Sequence, residues 1–403
     1  MSVWLKLLLG SLLGGLLGWF LPSDNAVIVG VLIWLQELGL RVGSYMAAPI
    51  LVFSLTIAVY ELRQDRLFWK VVFHTFLMIT ACAVFVMLAG IGVISLAPAI
   101  RIPILAVEQS PEVSLNPLET ITDLFPPNMF SALTGDRFMF PLCVFAFFLG
   151  MGLSYDRSFA KPVITLIDSL SHIFYYVGAF FAEILGLVMI ALAAYWSVQY
   201  RGVLQDDTFR SLIVMLGVLS LLLGFVILPL LFYFLGGKKS FRSALKNAPG
   251  LAAAGFFSGN ITFTIPILFQ YSKENLGVRR RLSAVSIPLC TAFCRAGSAM
   301  IAVISLAVVI QSYSSLNLEL PDMFLLGCKG FVISFLLSRH PGDAAYTALA
   351  VLCLHSGKDF ASGYLILKPI GFYLTALGTF LDAMIAVFAS AALSSRGGFQ
   401  QNK

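Results

Sequence analysis

The stretch FVISFLLSRHPGDAAYTALAVLCLH, residues 331–355, decides the fold. Two apolar arms flank a polar, kinked tip at 338–343, which reads Ser-Arg-His-Pro-Gly-Asp. A helix needs about 20 apolar residues to cross a hydrocarbon core about 30 Å thick, and neither arm is that long. Irregular backbone at membrane depth is tolerated only where protein or a water-filled cavity surrounds it. The stretch therefore predicts a re-entrant helical hairpin whose tip lines a cavity. An ordinary buried loop between two core helices is the alternative.

The composition indicates a membrane protein. Hydrophobic residues make up 59% of the chain and charged residues only 11%, and several apolar runs reach 18 residues or more. The net charge of +6 comes from short loops beside these runs, which is typical of membrane topology rather than of nucleic-acid binding. No nucleotide loop, zinc motif or nucleophile elbow is present, so the sequence predicts neither an enzyme nor a bound metal or cofactor. The six cysteines lie in apolar stretches and are expected to be small buried side chains.

The hydrophobic pattern predicts an all-α polytopic fold with eight transmembrane helices and two re-entrant hairpins. In the first span, Gly10, Gly14 and Gly18 share one face, which favours close helix packing. The second and last spans are about 35 residues long, or roughly 50 Å as helix, so each must tilt or break. Gly371 and Gly378 are expected weak points of the last span. The predicted spans are 3–21, 26–60, 68–98, 140–155, 171–197, 211–236, 283–310 and 360–394, and the hairpins are 240–275 and 322–356.

The distribution of Lys and Arg predicts the orientation. Basic residues concentrate in the loops 61–70, 237–246 and 273–281, whereas the 311–322 loop has none. The positive-inside rule then places both termini in the cytoplasm, in a multi-pass protein of the cytoplasmic (inner) membrane. One hairpin would enter from the inside and the other from the outside. Such inverted pairs of broken elements mark the midplane substrate sites of secondary transporters.

Three segments carry a resemblance to a known family. They are ITDLFPPNMFSALTGDRFMFPLCVFAFFLGMGL at 121–153, MAAPILVFSLTIAVYEL at 46–62 and SAVSIPLCTAFCRAGSAM at 283–300. With the order of spans and hairpins, they make the whole chain resemble the dicarboxylate/amino acid:cation symporter family, the glutamate transporter homologues.

The resemblance implies an elevator-type homotrimer in the lipid bilayer. A scaffold part (about 1–67 and 99–210) would hold a transport part (about 68–98 and 211–403) that carries both hairpins. The implied activity is secondary active symport of small amino acids or dicarboxylates, with sodium or protons as the coupling ion. No nucleic acid is implied as a partner.

The chain departs from the family in its binding motifs. Where relatives have a serine-rich tip and then Gly-Thr-Leu-Pro, residues 259–266 read GNITFTIP. Where relatives have the sodium-binding sequence Asn-Met-Asp-Gly-Thr, residues 294–298 read CRAGS, which lack the Asn and Asp oxygens that a hard cation needs. In the last span, Thr375, Gly378, Asp382 and Ala386 stand where relatives have Asp, Arg, Asn and Asp. Classical sodium coupling and aspartate recognition are therefore not expected.

The remaining polar residues predict the site. Substrate binding is expected from Asn260, Thr262, Thr264, Arg339, Gly342, Thr375 and Asp382. Ion coupling, or an internal cation in place of a coupling ion, is expected from Arg295, Ser298 and Asp382.

Arg295 and Asp382 both lie deep in predicted spans, where a lone charge costs several kcal/mol, so they are expected to pair. The Arg295 guanidinium would then occupy the region where relatives bind a metal cation. A structural ion pair with no part in transport is the alternative.

Arg339 is the tip residue able to grip a carboxylate through a bidentate fork, unless Asp343 neutralises it. His340 and Glu183 are candidate proton carriers, with a hydrogen-bonded turn residue and a helix-packing contact as the respective alternatives. Two other functions stay open: a transport-inactive membrane sensor or scaffold, and a passive solute or anion channel. Retained polar residues at both tips favour transport.

Overall fold

The computed structural model describes residues 2–22, 25–96, 102, 122–134, 139–205, 207–234, 241–313, 319–357 and 360–395. All regular elements in these residues are helical. A π-helical turn, Leu223–Ile227, joins α8 to α9, and 3₁₀ segments lie at Leu337–Arg339 and Gly363–Ile370. The helices are α1 (Val3–Phe20), α2 (Ala26–Tyr45), α3 (Ala47–Gln64), α4 (Phe68–Leu96), α5 (Ser131–Thr134), α6 (Met139–Leu153), α7 (Arg157–Gln205), α8 (Asp207–Leu222), α9 (Leu228–Phe234), α10 (Phe241–Ser258), α11 (Ile261–Glu274), α12 (Arg280–Phe293), α13 (Ala296–Tyr313), α14 (Leu320–Leu336), α15 (Ala344–Leu354) and α16 (Gly371–Ser395).

Seven segments of the described chain are long and apolar enough to cross a membrane. This confirms a polytopic helical membrane protein. The sequence predicts eight spans, and the difference lies at 140–155. There α6 has 15 residues, or about 23 Å of helix, which is short of the hydrocarbon thickness.

The first layer of the fold is built on α7, which runs for 49 residues. Helices α1, α2 and α3 all pack against it. The predicted glycine face of α1 makes the closest of these contacts. A Cβ atom at Gly10, Gly14 or Gly18 would collide with the backbone carbonyl of Gly186, Ile190 or Ala194, respectively. The absence of side chains at these positions lets the two helix backbones touch.

The second layer surrounds α16. This helix packs against α10, α11, α12, α13 and α15, and every residue in it from 374 to 393 is buried. Helix α4 packs against α12, α13 and α14 and also contacts α16. A polar side chain on α16 is therefore enclosed by protein rather than by lipid.

Both predicted hairpins are pairs of helices broken at a polar tip. Helices α10 and α11 are separated by Gly259 and Asn260, and α14 and α15 by the segment from 337 to 343. Gly259 has φ +57°, a left-handed conformation that a residue without a Cβ adopts readily. The breaks are where the sequence places them.

Three predicted spans contain a break or an irregular turn, and the sequence anticipated one of these, in the long span over 26–60. The span over 283–310 is interrupted at Cys294 and Arg295, which the pattern of apolar residues does not reveal. The span over 26–60 is divided at Met46, so this long segment breaks rather than merely tilts. The span over 211–236 contains the π-helical turn. Pro229 has no N–H to donate to the preceding turn, and such a turn accommodates the missing bond.

The last span begins as 3₁₀ helix and becomes α-helix at Gly371, which agrees with the predicted weak point there. Gly378 is not a weak point. It lies inside continuous α-helix, where a Cβ atom would come 2.7 Å from Ser298 Oγ. Its role is close packing of α16 against α13.

Two ion pairs tie the start of α12 to the α3 and α7 layer. Arg280 Nη2 lies 2.8 Å from Asp168 Oδ1 on α7, and Arg281 Nη1 lies 2.5 Å from Asp65 Oδ2 at the end of α3. All four side chains are partly exposed, so solvent screens both pairs.

Replacing Gly14 by Leu should destabilise the protein by about 1–3 kcal/mol or more, because its Cβ would meet backbone that cannot move aside. Thermal unfolding of the purified protein in detergent measures this. Gly15→Leu is the matched control, since a Cβ there meets only Ser197 Oγ, at 3.6 Å. Equal melting temperatures for the two variants would contradict the proposed α1–α7 contact.

Candidate functional site

The site forms where the chain leaves α12 and enters α13. Cys294 is extended, with φ −141° and ψ 121°, and this breaks the helix. The Arg295 backbone N–H then lacks a partner within its own helix and donates to the carbonyl of Ser334 on α14, at 2.9 Å. The Arg295 side chain is 1% exposed, so a charged group stands at the centre of the fold.

The guanidinium of Arg295 makes five hydrogen bonds, which matches its five N–H donors. The bonds to Asp382 and to the tip carbonyls have ordinary lengths, whereas the two contacts to hydroxyls are longer than a typical hydrogen bond and therefore weaker. Its contacts are Nε to Asp382 Oδ2 at 2.9 Å, Nη1 to the carbonyl oxygens of His340 at 2.8 Å and Pro341 at 3.1 Å, and Nη2 to Ser298 Oγ at 3.5 Å and Thr379 Oγ1 at 3.4 Å.

Asp382 joins this cation to the beginning of α13. Its Oδ1 accepts hydrogen bonds from the backbone N–H groups of Gly297, at 2.8 Å, and Ser298, at 3.2 Å, and its Oδ2 accepts one from the Ser298 hydroxyl at 2.6 Å. A carboxylate at a helix N-terminus is stabilised by the helix dipole and by the free N–H groups there. Gly297 permits the approach, because a Cβ atom at that position would overlap the Leu381 side chain.

The two tips meet beside this ion pair. The Ile261 backbone N–H, at the start of α11, donates to the Pro341 carbonyl at 3.0 Å. Asn260 Nδ2 lies 3.7 Å from the position that a Cβ at Gly342 would occupy. Asn260 also caps α11, since its Oδ1 accepts a hydrogen bond from the Thr262 N–H at 2.9 Å. Broken helices from both hairpins therefore converge on one buried cation.

Comparison with known protein families identifies the family of this chain. The family model described as the sodium:dicarboxylate symporter family matches residues 3–395. The chain belongs to the sodium:dicarboxylate symporter family. Members of this family are transporters rather than enzymes, and they work in membranes on small molecules. No curated protein gives a significant match to the chain.

The predicted pair of Arg295 and Asp382 is confirmed. In a symporter of this family the pair brings together four elements: the α12–α13 break, α16 and, through the shared carbonyl of Pro341, both tips. Within the described residues, no group of three or more His, Cys, Asp or Glu side chains is placed to hold a metal ion. Ser298 lies in the same cluster, as the sequence predicts.

The other predicted substrate residues divide into two groups. Asn260 and Gly342 meet at the tips, and the Thr375 methyl lies 3.7 Å from a Cβ placed at Gly259. The hydroxyls of Thr264 and Thr375 instead donate to carbonyls of their own helices, at 2.7 and 3.1 Å.

Two hydroxyls beside the tips lack a hydrogen-bond partner among the described residues. They are Thr262 Oγ1 and Ser338 Oγ, and both are buried. Buried polar groups normally have such a partner, but unpartnered atoms also occur away from the tips, for example at Ser171 and Ser220.

Two further predictions concern charged residues. The Arg339 side chain lies outside the described part of the chain, so its role stays a prediction. Glu183 Oε2 lies 3.0 Å from Lys6 Nζ in a half-exposed pair between α7 and α1, a contact of the kind that the helix-packing alternative expects, and a role as proton carrier stays a prediction.

Sequence reasoning missed part of the cation's surroundings. Thr379 lies one turn before Asp382 on α16, and that i, i+3 spacing was the available signal. The carbonyls of His340, Pro341 and Ser334 carry no side-chain signal and emerge only from the fold. Ser338 was noted as part of the tip but not as a site residue.

A double-mutant cycle tests the ion pair. Asp382→Asn keeps an oxygen for the α13 N-terminus but leaves the Arg295 guanidinium without a countercharge, which should cost about 3–5 kcal/mol. Adding Arg295→Met removes the unpaired charge and should recover much of that loss. Thermal unfolding in detergent reports both effects.

The exposed Lys6–Glu183 pair supplies the control. Glu183→Gln should cost less than about 1 kcal/mol, because solvent screens this pair. The interpretation is wrong if the double variant is no more stable than Asp382→Asn alone.

Proposed function

We propose that the chain is a secondary active transporter of small acidic solutes, either amino acids or dicarboxylates, across the cytoplasmic membrane. The observation that carries this proposal is the convergence of two helix breaks on the buried Arg295–Asp382 pair. The proposed topology has eight spans and two re-entrant hairpins. Paired broken helices are the usual framework for a midplane binding site.

The charge balance supports Arg339 as the residue that recognises a substrate anion. All donors of Arg295 are engaged and Asp382 cancels its charge, so this arginine has no free fork for a carboxylate. Arg339 lies within the sequence of the second tip and supplies a planar fork of five donors. The proposed binding surface joins it to Asn260, Thr262, Thr264, Gly342 and Thr375, with Asp382 fixing the cation behind them.

The proposed mechanism is an elevator. Residues 68–98 and 211–403 would move against a scaffold of residues 1–67 and 99–210 within a homotrimer. The ion pairs of Arg280 and Arg281 cross this proposed boundary, and their partial exposure makes them weak enough to break in each cycle. Protons are the proposed coupling ion, because a fixed guanidinium occupies the oxygen-rich position next to the tips.

One observation favours a second function, that of a transport-inactive sensor or scaffold. The five hydrogen bonds of Arg295 make the centre of the site a complete network, which a purely structural role would also produce. The polar side chains retained at both tips, among them Asn260, Thr262 and Ser338, favour transport.

Purified protein in proteoliposomes should accumulate an acidic amino acid or dicarboxylate when a proton gradient is imposed. A sodium gradient alone should give no accumulation. Radiolabelled uptake across a substrate panel, with each gradient imposed separately, measures this. Uptake that never exceeds equilibrium identifies a passive channel, and no uptake of any substrate identifies the inactive alternative.

Arg339→Gln should raise the KM for an acidic substrate about tenfold or more, because charge-assisted bonds to a carboxylate are lost. Arg41→Gln is the control: it removes one positive charge from an exposed pair with Glu37 on α2. If the KM for the acidic substrate is the same in both variants, Arg339 does not bind the carboxylate.

A further inference from the structure

We propose that the Arg295 guanidinium is a tethered cation that holds the second tip (residues 338–343) closed, in place of a dissociable monovalent cation. This inference rests on the proposed transport function, because it concerns access to the same site. It adds a mechanism of closure to that function, and it predicts which change would make the tip respond to sodium.

The guanidinium of Arg295 is surrounded by oxygen atoms. Five oxygens accept its hydrogen bonds: one carboxylate oxygen, two backbone carbonyls and two hydroxyls. They come from α16, α13 and the second tip, so the oxygens are brought together by the fold rather than by local sequence. Hard cations in proteins prefer carboxylate, carbonyl and hydroxyl oxygens, and this shell carries one formal negative charge. Its composition therefore suits a monovalent cation.

Arg295 binds the second tip at several points. Nη1 binds the carbonyls of His340 and Pro341, two adjacent residues of the tip. The Arg295 backbone N–H binds the Ser334 carbonyl, in the arm that leads to that tip. The Pro341 carbonyl also receives the Ile261 N–H of the first hairpin. One residue thus fixes the second tip, its leading arm and, indirectly, its contact with the first tip.

A tethered cation differs from a bound ion in how its stabilisation of the closed tip depends on concentration. A dissociable cation stabilises the closed tip only to the extent that its concentration exceeds its dissociation constant. Arg295 is covalently part of α13's entry segment and buried with its countercharge, so its contribution does not depend on salt composition. The second tip of the native protein stays closed without added sodium.

Replacing Arg295 by a shorter side chain should make the stability of the closed tip depend on sodium. In Arg295→Ala the carboxylate of Asp382 and the other oxygens lose their cation, and a cavity with a net negative charge is left. A sodium ion fits that chemistry. The variant should then require sodium for the stability that the native protein has without it.

Purified protein in detergent tests the inference without any substrate. Melting temperatures are compared in NaCl and in choline chloride at equal ionic strength. The native protein should melt at the same temperature in both. Arg295→Ala should melt lower in choline chloride and rise saturably with NaCl. Arg281→Ala, which loses a partly exposed pair with Asp65, is the control and should show no sodium response.

A second variant keeps the test decisive if Arg295→Ala fails to fold. Arg295→Lys retains the charge but not the fork that reaches two carbonyls. Ser338→Cys, introduced after the six native cysteines are replaced by serine or alanine, reports tip opening through its rate of reaction with a methanethiosulfonate. Arg295→Lys should accelerate that reaction about tenfold or more, because charge-assisted bonds to the tip are lost.

Several results would overturn the inference: a sodium-dependent melting temperature of the native protein, an Arg295→Ala variant that folds but ignores sodium, or an unchanged labelling rate in Arg295→Lys. These outcomes are independent of uptake. If Arg295→Ala responds to sodium but the native protein transports no substrate, the proposed function alone is refuted. If the native protein transports but Arg295→Ala does not respond to sodium, the tethered cation alone is refuted.

Discussion

Burial of one charge pair is the constraint on which the architecture depends. An arginine with a 1% exposed side chain at the centre of a membrane protein requires a countercharge and a full set of acceptors. Asp382 on α16 supplies the countercharge, and the second tip supplies two of the acceptors, the carbonyls of His340 and Pro341. The close approach of α13 and α16 through Gly297 and Gly378 makes the pair possible, since larger side chains there would separate the two helices.

The same constraint explains how the helix breaks are tolerated. Each break exposes backbone donors or acceptors at a depth where lipid offers none, and each must find a partner within the protein. The breaks satisfy one another: the entry to α13 bonds to α14, the first residue of α11 bonds to the second tip, and a carboxylate from α16 caps α13. The irregular segments therefore form a single hydrogen-bonded network.

The sequence predicted much of this and failed for identifiable reasons. Hydrophobic run length located the spans, and polar tips located the broken hairpins, because both depend on local composition. The pairing of Arg295 with Asp382 followed from the cost of an isolated buried charge. The break at Cys294 was not predicted, since the apolar runs on both sides of it continue one another and Arg295 was interpreted as half of a buried ion pair within one span. The carbonyls of His340 and Pro341 were beyond any side-chain pattern, as their role depends on the position of the backbone in space.

The carbonyl of Pro341, on the second tip, accepts hydrogen bonds from two different elements: the Ile261 N–H of the first hairpin and Arg295 Nη1 at the break between α12 and α13. If the second tip moves away, the Ile261 N–H and the Arg295 guanidinium lose this acceptor together. A single shared oxygen atom therefore couples the position of the second tip to two other elements, and displacement of the tip changes the hydrogen bonding of both at once.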